Sequence, residues 1–296
     1  MIEARSIRST RRKRMLMTSQ RPIGADVSVT ADLPRPPELA DLEESYGEDR
    51  KFIWSVARTL QLLQAFRPEE GPMGNGDLSE RTGIAKATVS RITHTLTELG
   101  YLARTRNRQY FPTSNLLSLS HSVLGSFRIR QLAQRKMQEI ANLAGGTVGL
   151  SWPDKDTMIY IAASIATTSD DLMPEIGTRM SMAKSAAGRA YLSTLDEEEL
   201  QLLFDRWAIF YGAEWPELED RVHAAIADVK QKGFCIVEGE WRKNVRGVAA
   251  PVFDRDHDTW LALNCGGPAF DLDRERIEAD IGPRMVHFAQ SLSSRP

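Results

Sequence analysis

Residues 78–102, LSERTGIAKATVSRITHTLTELGYL, constrain the fold more than any other stretch of this chain. Ile84, Val89, Ile92, Leu96 and Leu99 recur at spacings of five, three, four and three, one apolar stripe along an α-helix. The preceding DLSERTG reads as a short helix that Asp77 can cap and Gly83 can stop. Two helices joined at a glycine turn, with Leu78, Ile84, Val89 and Ile92 facing inward and small Ser79 at the crossing, have the pattern of a helix-turn-helix. Thr82 is the poorer fit, because an apolar residue is commoner at its position.

With the stripe turned inward, Lys86, Thr88, Ser90, Arg91 and His94 project outward together, and no carboxylate follows until Glu98. In this motif the start of the second helix enters the major groove. Arg91 can give two hydrogen bonds to guanine O6 and N7. Ser90 and Thr88 can reach a base edge or a phosphate, and the helix N-terminus itself favours an anion. The chain continues GYLARTRNRQYFPT, where Tyr101-Leu102 and Tyr110-Phe111 bracket a polar turn as two short strands would. Arg104, Arg106 and Arg108 lie in or beside that turn, the expected tip of a wing set against the DNA backbone or minor groove. Upstream, SVARTLQLLQAF is expected to be a helix with Ser55 as N-cap and Val56, Leu60, Leu63 and Phe66 on its inner face. Each piece alone has an ordinary reading as core helix or solvated loop. Their order points to DNA binding.

The charge distribution agrees. Net charge is only −2, yet residues 51–113 hold nine Lys/Arg against five Asp/Glu, whereas residues 114–296 hold 20 against 26. A basic segment on an acidic body suggests one part that meets an anionic polymer and one that does not. The 296 residues suffice for two domains. No run of 18 apolar residues occurs, so no membrane span is expected. Two cysteines, Cys235 and Cys265, are too few for a disulfide framework and fit a cytoplasmic protein. Residues 1–50 read as a tail, basic at first (Arg5, Arg8, Arg11, Arg12, Lys13, Arg14, Arg21) and then acidic and proline-bearing. A solvated tail is the plain reading; an arm on phosphates and a transit peptide are alternatives.

The second half alternates strands and helices. NLLSLSHSVLGSF (115–127) carries more apolar residues than a free helix needs, so it calls for a partner, either a second copy or the chain's own following domain. IRQLAQRKMQEIANLAGG and PELEDRVHAAIADVKQKG are helices closed by glycine. TVGLSW and MIYIAAS form a hairpin; FCIVE, GVAAPVFD and TWLALNC are strands. DRERIEADIGPRMVHFAQSL closes the chain as a helix despite Pro283. The sum is a two-domain α/β (α+β) protein: a tail at 1–50, a winged helix-turn-helix at 51–113, a linker helix at 114–128 and a sheet domain at 129–296. The histidines have no metal spacing, and no nucleophile elbow, P-loop or dinucleotide fingerprint occurs. No enzyme, no metal and no cofactor are expected.

LSERTGIAKATVSRITHTLTELGYL with its Arg-rich hairpin resembles the IclR family of bacterial transcriptional regulators. SMAKSAAGRAYLSTL and GFCIVEGEWRKNVRGVAAPVFD…LALNCGGP resemble that family's C-terminal signatures, so the likeness spans residues 52–293. It implies a winged helix-turn-helix, a linker helix and a GAF-like effector-binding domain. It further implies a homodimer or dimer of dimers on a roughly palindromic operator, in the cytoplasm.

For the effector, AKSAAGRA offers small residues and Ser185 and Ser181 hydroxyls at a helix start, although those small residues also serve close packing. By resemblance Met182, Val245, Gly247, Asn264 and Gly266 fall on pocket-facing positions. In relatives that bind small polar acids the position of Val237 is an acid, that of Gly247 a cysteine, and those of Asn264 and Gly266 serines. Their replacement removes potential metal ligands and implies a wider, less polar pocket for an aromatic or cyclic carboxylate. Trp152 and Trp241 are further candidates for its wall. Two alternatives stay open: an enzyme with a helix-turn-helix appendage, and an effector-free DNA binder.

Overall fold

The computed structural model describes Leu42 and residues 45–67, 70–167 and 175–294. The basic arm and most of the acidic stretch of the tail lie outside these described residues.

Helix α1 (Trp54–Gln64) starts one residue before Ser55, with Ile53 as N-cap and no side-chain cap. Its inner face also differs from expectation. Leu62 is buried and Leu63 and Phe66 pack against the core, whereas Val56 and Leu60 are 51 % and 55 % exposed. Helix α2 (Asn75–Thr82) starts at Gly74, whose N–H donates to Asp77 Oδ2 at 2.9 Å, so Asp77 caps from the third helical position. Gly83 ends it at φ +70°, with its N–H returned to Ser79 O. Thr82 is buried without conflict, because its hydroxyl donates to Leu78 O at 2.6 Å. Ser79 Oγ donates across the turn to Ile84 O at 2.7 Å. Helix α3 (Lys86–Glu98) buries Val89, Ile92, Thr93 and Leu96. Leu99, expected in the stripe, is the C-cap and is exposed, since the chain turns away at Gly100 with φ +76°.

Strands β1 (Leu102–Arg104) and β2 (Tyr110–Pro112) pair antiparallel, Ala103 opposite Phe111. Met73 adds a bridge to Tyr110, so the hairpin is tied to the segment before α2. Leu62, Met73, Leu78, Ile84, Val89, Ile92, Leu96, Leu102 and Tyr110 make one core. Helix α4 (Asn115–Ser126) follows and buries none of its residues.

Helix α5 (Arg128–Ala144) ends at Gly145, φ +70°. It leads into six strands: β3 (Thr147–Asp154), β4 (Thr157–Ile165), β5 (Arg179–Ser181), β6 (Cys235–Glu238), β7 (Val245–Asp254) and β8 (Thr259–Pro268). Their spatial order is β5-β4-β3-β8-β7-β6, and every neighbouring pair is antiparallel. Alternation, interrupted by one bulge where β3 meets β4 at Leu150 and Ser151, sorts the side chains. Val148, Leu150, Val248, Ala250, Leu261, Leu263 and Cys265 join one core with α5 and the closing helix α9 (Gly282–Ser293). Pro283 is the second residue of α9 and follows directly on a helical run, residues 274–281, so it is accommodated by a local change of winding and not by a free helix start. A π-helical stretch, Ile277–Ile281, absorbs the junction.

The opposite face carries Met158, Tyr160, Cys235, Val237, Ala249 and Ala262. It packs on α6 (Ala186–Leu192), which lies on β7 and β8. Behind α6 stand α7 (Glu197–Tyr211), opened by an Asp196–Glu199 capping box, and α8 (Trp215–Lys232), closed by Gly233.

Candidate nucleic-acid interface and effector site

Lys86, Ser90, Arg91 and His94 are exposed on α3 at positions that share one helical face, and Thr88 flanks them half-buried. Thr93, one residue before His94, anchors the buried edge of this face: its hydroxyl lies 3.0 Å from Val89 O and 3.1 Å from Asn75 Oδ1 on α2. This outward face is therefore held by a buried polar contact as well as by the apolar stripe. Among the described residues Lys86 and Arg91 have no carboxylate partner, whereas His94 sits 3.9 Å from Glu98. At the wing, Arg104 lies 5.8 Å over the Tyr110 ring, which stiffens its stem. Arg106 and Arg108 stand exposed on the turn, Arg108 with φ +61°. Five cations thus face outward on one helix and one hairpin, the polarity that phosphates require.

In the sheet domain the register brings three of the anticipated effector residues into a single row. Val237 on β6 pairs with Gly247 on β7, Gly247 with Gly266 on β8, and Gly266 with Thr147 on β3. The next row holds Cys235, Ala249, Asn264 and Gly149. Both rows face α6, and their residues are small. A methyl group on Gly266 would meet nothing nearer than Arg246 O at 3.8 Å, while one on Gly247 would lie 3.5 Å from Ala186 Cβ of α6. Val245 lies beyond this pair, opposite Pro268. Met182 is fully buried in the same cluster. Ser185 is the N-cap of α6, its Oγ accepting from Gly188 N at 3.1 Å, so its hydroxyl serves the helix. Ser181 Oγ is likewise engaged, by Tyr211 Oη and Lys184 N. Gly188 is glycine because a Cβ would strike the Met182 backbone at 2.1 Å.

A buried polar chain crosses these rows. Asn264 Nδ2 donates to Tyr160 Oη at 2.7 Å, and Ser151 Oγ donates to Asn264 Oδ1 at 3.2 Å. Burial pushes the Tyr160 phenol up to about 12, so it stays protonated and remains a donor. Among the described residues no three His, Cys, Asp or Glu side chains gather to hold a metal ion.

The family model for the C-terminal domain of the bacterial transcriptional regulator IclR matches residues 121–294, and the IclR helix-turn-helix model matches residues 55–106. The chain belongs to the IclR family. It is a DNA-binding transcriptional regulator of that family, with a ligand-binding C-terminal domain. It is 28 % identical over 254 residues to the Pca regulon regulatory protein of Pseudomonas putida, covering 84 % of this chain and 86 % of that one. The crystal structure of an IclR family transcriptional regulator from Brucella abortus superposes with a TM-score of 0.78 at 34 % identity, over 88 % of this chain and all of that one. An IclR homologue from Microbacterium hydrocarbonoxydans, crystallised with 4-hydroxybenzoate, shares the fold: TM-score 0.64, 14 % identity, 80 % of this chain and 99 % of that one.

Within this IclR-family chain the two tryptophans considered for the pocket wall part company. Trp152 is on the other face of the sheet, edge-on to Phe127 and His257, because its place on β3 alternates with Ser151. Trp241 packs on the α6 side. Tyr160, Thr147 and Arg242 went unnoticed in the sequence. The one signal for Tyr160 was Gly149, a glycine inside a strand pattern, which marks a close approach.

Proposed function

We propose that this IclR-family protein binds a specific operator through α3 and its wing, and that a small organic acid on the α6 side of the sheet changes its affinity for DNA. The observation that carries the DNA reading is the outward set Lys86, Ser90, Arg91 and His94, backed by buried Thr93 and accompanied by the arginines of the hairpin. Arg91 reads a base; Lys86, Arg104, Arg106 and Arg108 hold phosphates, with Thr88 and Ser90 at either. Residues 51–113 form the DNA-binding domain, 114–128 the linker and 129–296 the effector-binding domain.

Support for the effector comes from the glycine-lined row beside buried hydroxyls, and from the Microbacterium homologue, which holds an aromatic acid. Met182, Val237, Val245, Gly247, Asn264 and Gly266 surround the ligand, and Ser185 positions α6. The protein is a cytoplasmic regulator without catalytic activity. It acts as a homodimer on a two-fold operator, because α1 and α4 expose apolar residues that a second copy would cover. An effector that prefers one arrangement of the dimer alters DNA affinity by its differential binding, typically about 1–3 kcal/mol.

The test is binding of the full-length protein to a labelled fragment from upstream of its own gene, across a salt series, beside Arg91→Ala. A tight complex that survives competitor DNA and is lost in the variant supports the reading. Equal, weak, salt-sensitive binding by both proteins, repeated in a genome-wide selection of bound DNA, would overturn it.

A further inference from the structure

Four buried polar atoms in the sheet domain lack a partner among the described residues: Arg130 Nε on α5, whose Nη1 is held by Leu124 O, and, away from that helix, Thr147 Oγ1, Trp241 Nε1 and Arg242 Nε. The last three belong to the α6 side. Thr147 alternates with Val148, whose side chain enters the opposite core, and stands beside Gly266 at the end of the glycine row. Trp241 packs against the cluster of Met182 and Ala186. Arg242 lies with its Cζ 4.7 Å from the centre of the Trp241 ring. Its positive charge is felt at the Tyr160 phenol, where it opposes the upward push of burial.

The surrounding segment explains why Arg242 is left over. Glu238 accepts from Arg246 Nε at 2.9 Å and Nη2 at 2.6 Å. Glu240 accepts from Arg189 Nη1 at 2.9 Å and Nη2 at 2.5 Å, and from Arg221 Nε at 3.1 Å. Both carboxylates of the stretch are thus claimed by other cations: Glu240 ties the residue before Trp241 to α6 and α8, and the Glu238–Arg246 pair joins the strands before and after the segment. Arg242 itself has no carboxylate partner among the described residues. A buried donor without an acceptor is costly, and a charged one more so. Tyr160 adds a further donor, since its hydroxyl accepts from Asn264 while its own proton has no acceptor among the described residues.

We propose that Arg242 is the anion anchor of the effector site: its guanidinium receives the single carboxylate of a ring-bearing organic acid, and the hydroxyls of Thr147 and Tyr160 complete the polar end. The body of the acid lies along Trp241, Met182 and the glycine row, an apolar surround that would penalise a second charge. One unmatched cation fits one carboxylate, which selects against dicarboxylates and phosphate esters. This inference rests on the effector reading above and names the chemistry of that site.

Calorimetry on the full-length protein tests it with benzoate, 4-hydroxybenzoate, cyclohexanecarboxylate, pyruvate and glyoxylate, and with benzamide as the neutral isostere. A ring acid is expected to bind at least tenfold more tightly than benzamide, pyruvate or glyoxylate. Arg242→Ala is expected to weaken that acid at least tenfold while leaving benzamide binding and ligand-free DNA binding unchanged. Thr147→Val offers a second reading that does not depend on the fold of the first variant. It removes an unmatched hydroxyl from a strand, so the ligand-free melting temperature holds or rises while affinity for the acid falls several-fold. If wild type and both variants bind a ring acid alike, or benzamide binds as well as benzoate, Arg242 is no anchor although the effector reading survives. If none of these acids binds the wild type, the effector reading and this inference fall together.

Discussion

The ring of Tyr160 occupies the space that a Cβ on Gly149 would need: such an atom would lie 1.9 Å from Tyr160 Cε1. Gly149 on β3 and Tyr160 on β4 are therefore one unit, and the unit delivers the Tyr160 hydroxyl to Asn264. Gly149→Ala must displace the ring and break that hydrogen bond. A loss of about 1–3 kcal/mol is expected in urea melts. In a Tyr160→Val background the same alanine should cost distinctly less, a coupling that a double-mutant cycle measures. Equal costs in both backgrounds would show that the ring moves freely.

Arg189 and Glu240 form the second relationship with a measurable consequence. The Arg189 side chain is 3 % exposed and grips Glu240 with both terminal nitrogens. Removing Glu240 leaves a buried guanidinium without its carboxylate, so Glu240→Ala should cost about 3–5 kcal/mol. Glu240→Gln keeps the shape and part of the hydrogen bonding and should cost less. Thermal melts of the two variants decide this; a loss under about 1 kcal/mol for alanine would place the pair with ordinary surface ion pairs.

What the sequence made legible follows from distance along the chain. The helix-turn-helix rests on a 3.6-residue period and a glycine at φ +70°, both local, and it reads directly from residues 78–99. The face of α1 does not, because periodicity finds an apolar stripe without saying what covers it. Val56 and Leu60 satisfy the period yet lie outside the chain's own core. Thr82 looked wrong for its position because a residue-type preference ignores the back-bond to Leu78 O. In the sheet domain the anticipated row of Val237, Gly247 and Gly266 came through family resemblance, and antiparallel register explains why such distant residues adjoin. Tyr160 and Ser151 meet Asn264 across 104 and 113 residues, contacts that no local pattern encodes. Arg242 was hidden for another reason: its significance lies in the partner it lacks.

Alkaline pH offers a test of the two cores. Burial pushes the thiols of Cys235 and Cys265 from 9.0 up to about 12, and the Tyr160 phenol from 10.0 up to about 12. Groups with raised folded-state values keep their protons in the native protein and lose them on unfolding. Their contribution is complete below pH 9 and is lost as pH climbs from there towards 12, at up to about 1.4 kcal/mol per pH unit for each group. Urea melts at pH 8.0 and 10.5 should show the fall, steeper than in a Cys235→Ala, Cys265→Ala double variant. The native thiols should also resist a thiolate-directed reagent at pH 8 and react on unfolding.

The exposed stripes of α1 and α4 make the dimer testable without DNA. Val56 and Leu60 stand one turn apart on α1, with its N-cap Ile53 just before them, while Leu119 and Val123 stand one turn apart on α4, and all five are more than half exposed. Such stripes ask for a cover. Sedimentation should find a homodimer or larger for the wild type, and Val56→Glu with Leu60→Glu, or Leu119→Glu with Val123→Glu, should shift it towards monomer. These side chains are outside the chain's own core, so the melting curve of the separated protomer should retain a cooperative transition. A wild type that sediments as monomer at all concentrations would leave the stripes unexplained and remove the basis for a two-fold operator.

The wing and the recognition helix should fail in different ways. Arg91 stands exposed on α3 among short polar side chains, where the proposed reading gives it a base edge, so Arg91→Ala should cost about 1–3 kcal/mol on the operator and relax one base position. Arg106 stands exposed on the hairpin turn, where the proposed reading gives it a phosphate, so Arg106→Ala should weaken operator and random DNA by similar factors. The salt dependence separates the two further: losing one phosphate contact lowers the slope of log K against log salt by about 1. Titrations of both variants against operator and scrambled duplexes at three salt concentrations are sufficient. Loss of sequence preference in Arg106→Ala would move base reading to the wing, and an unchanged preference in Arg91→Ala would remove it from that position of α3.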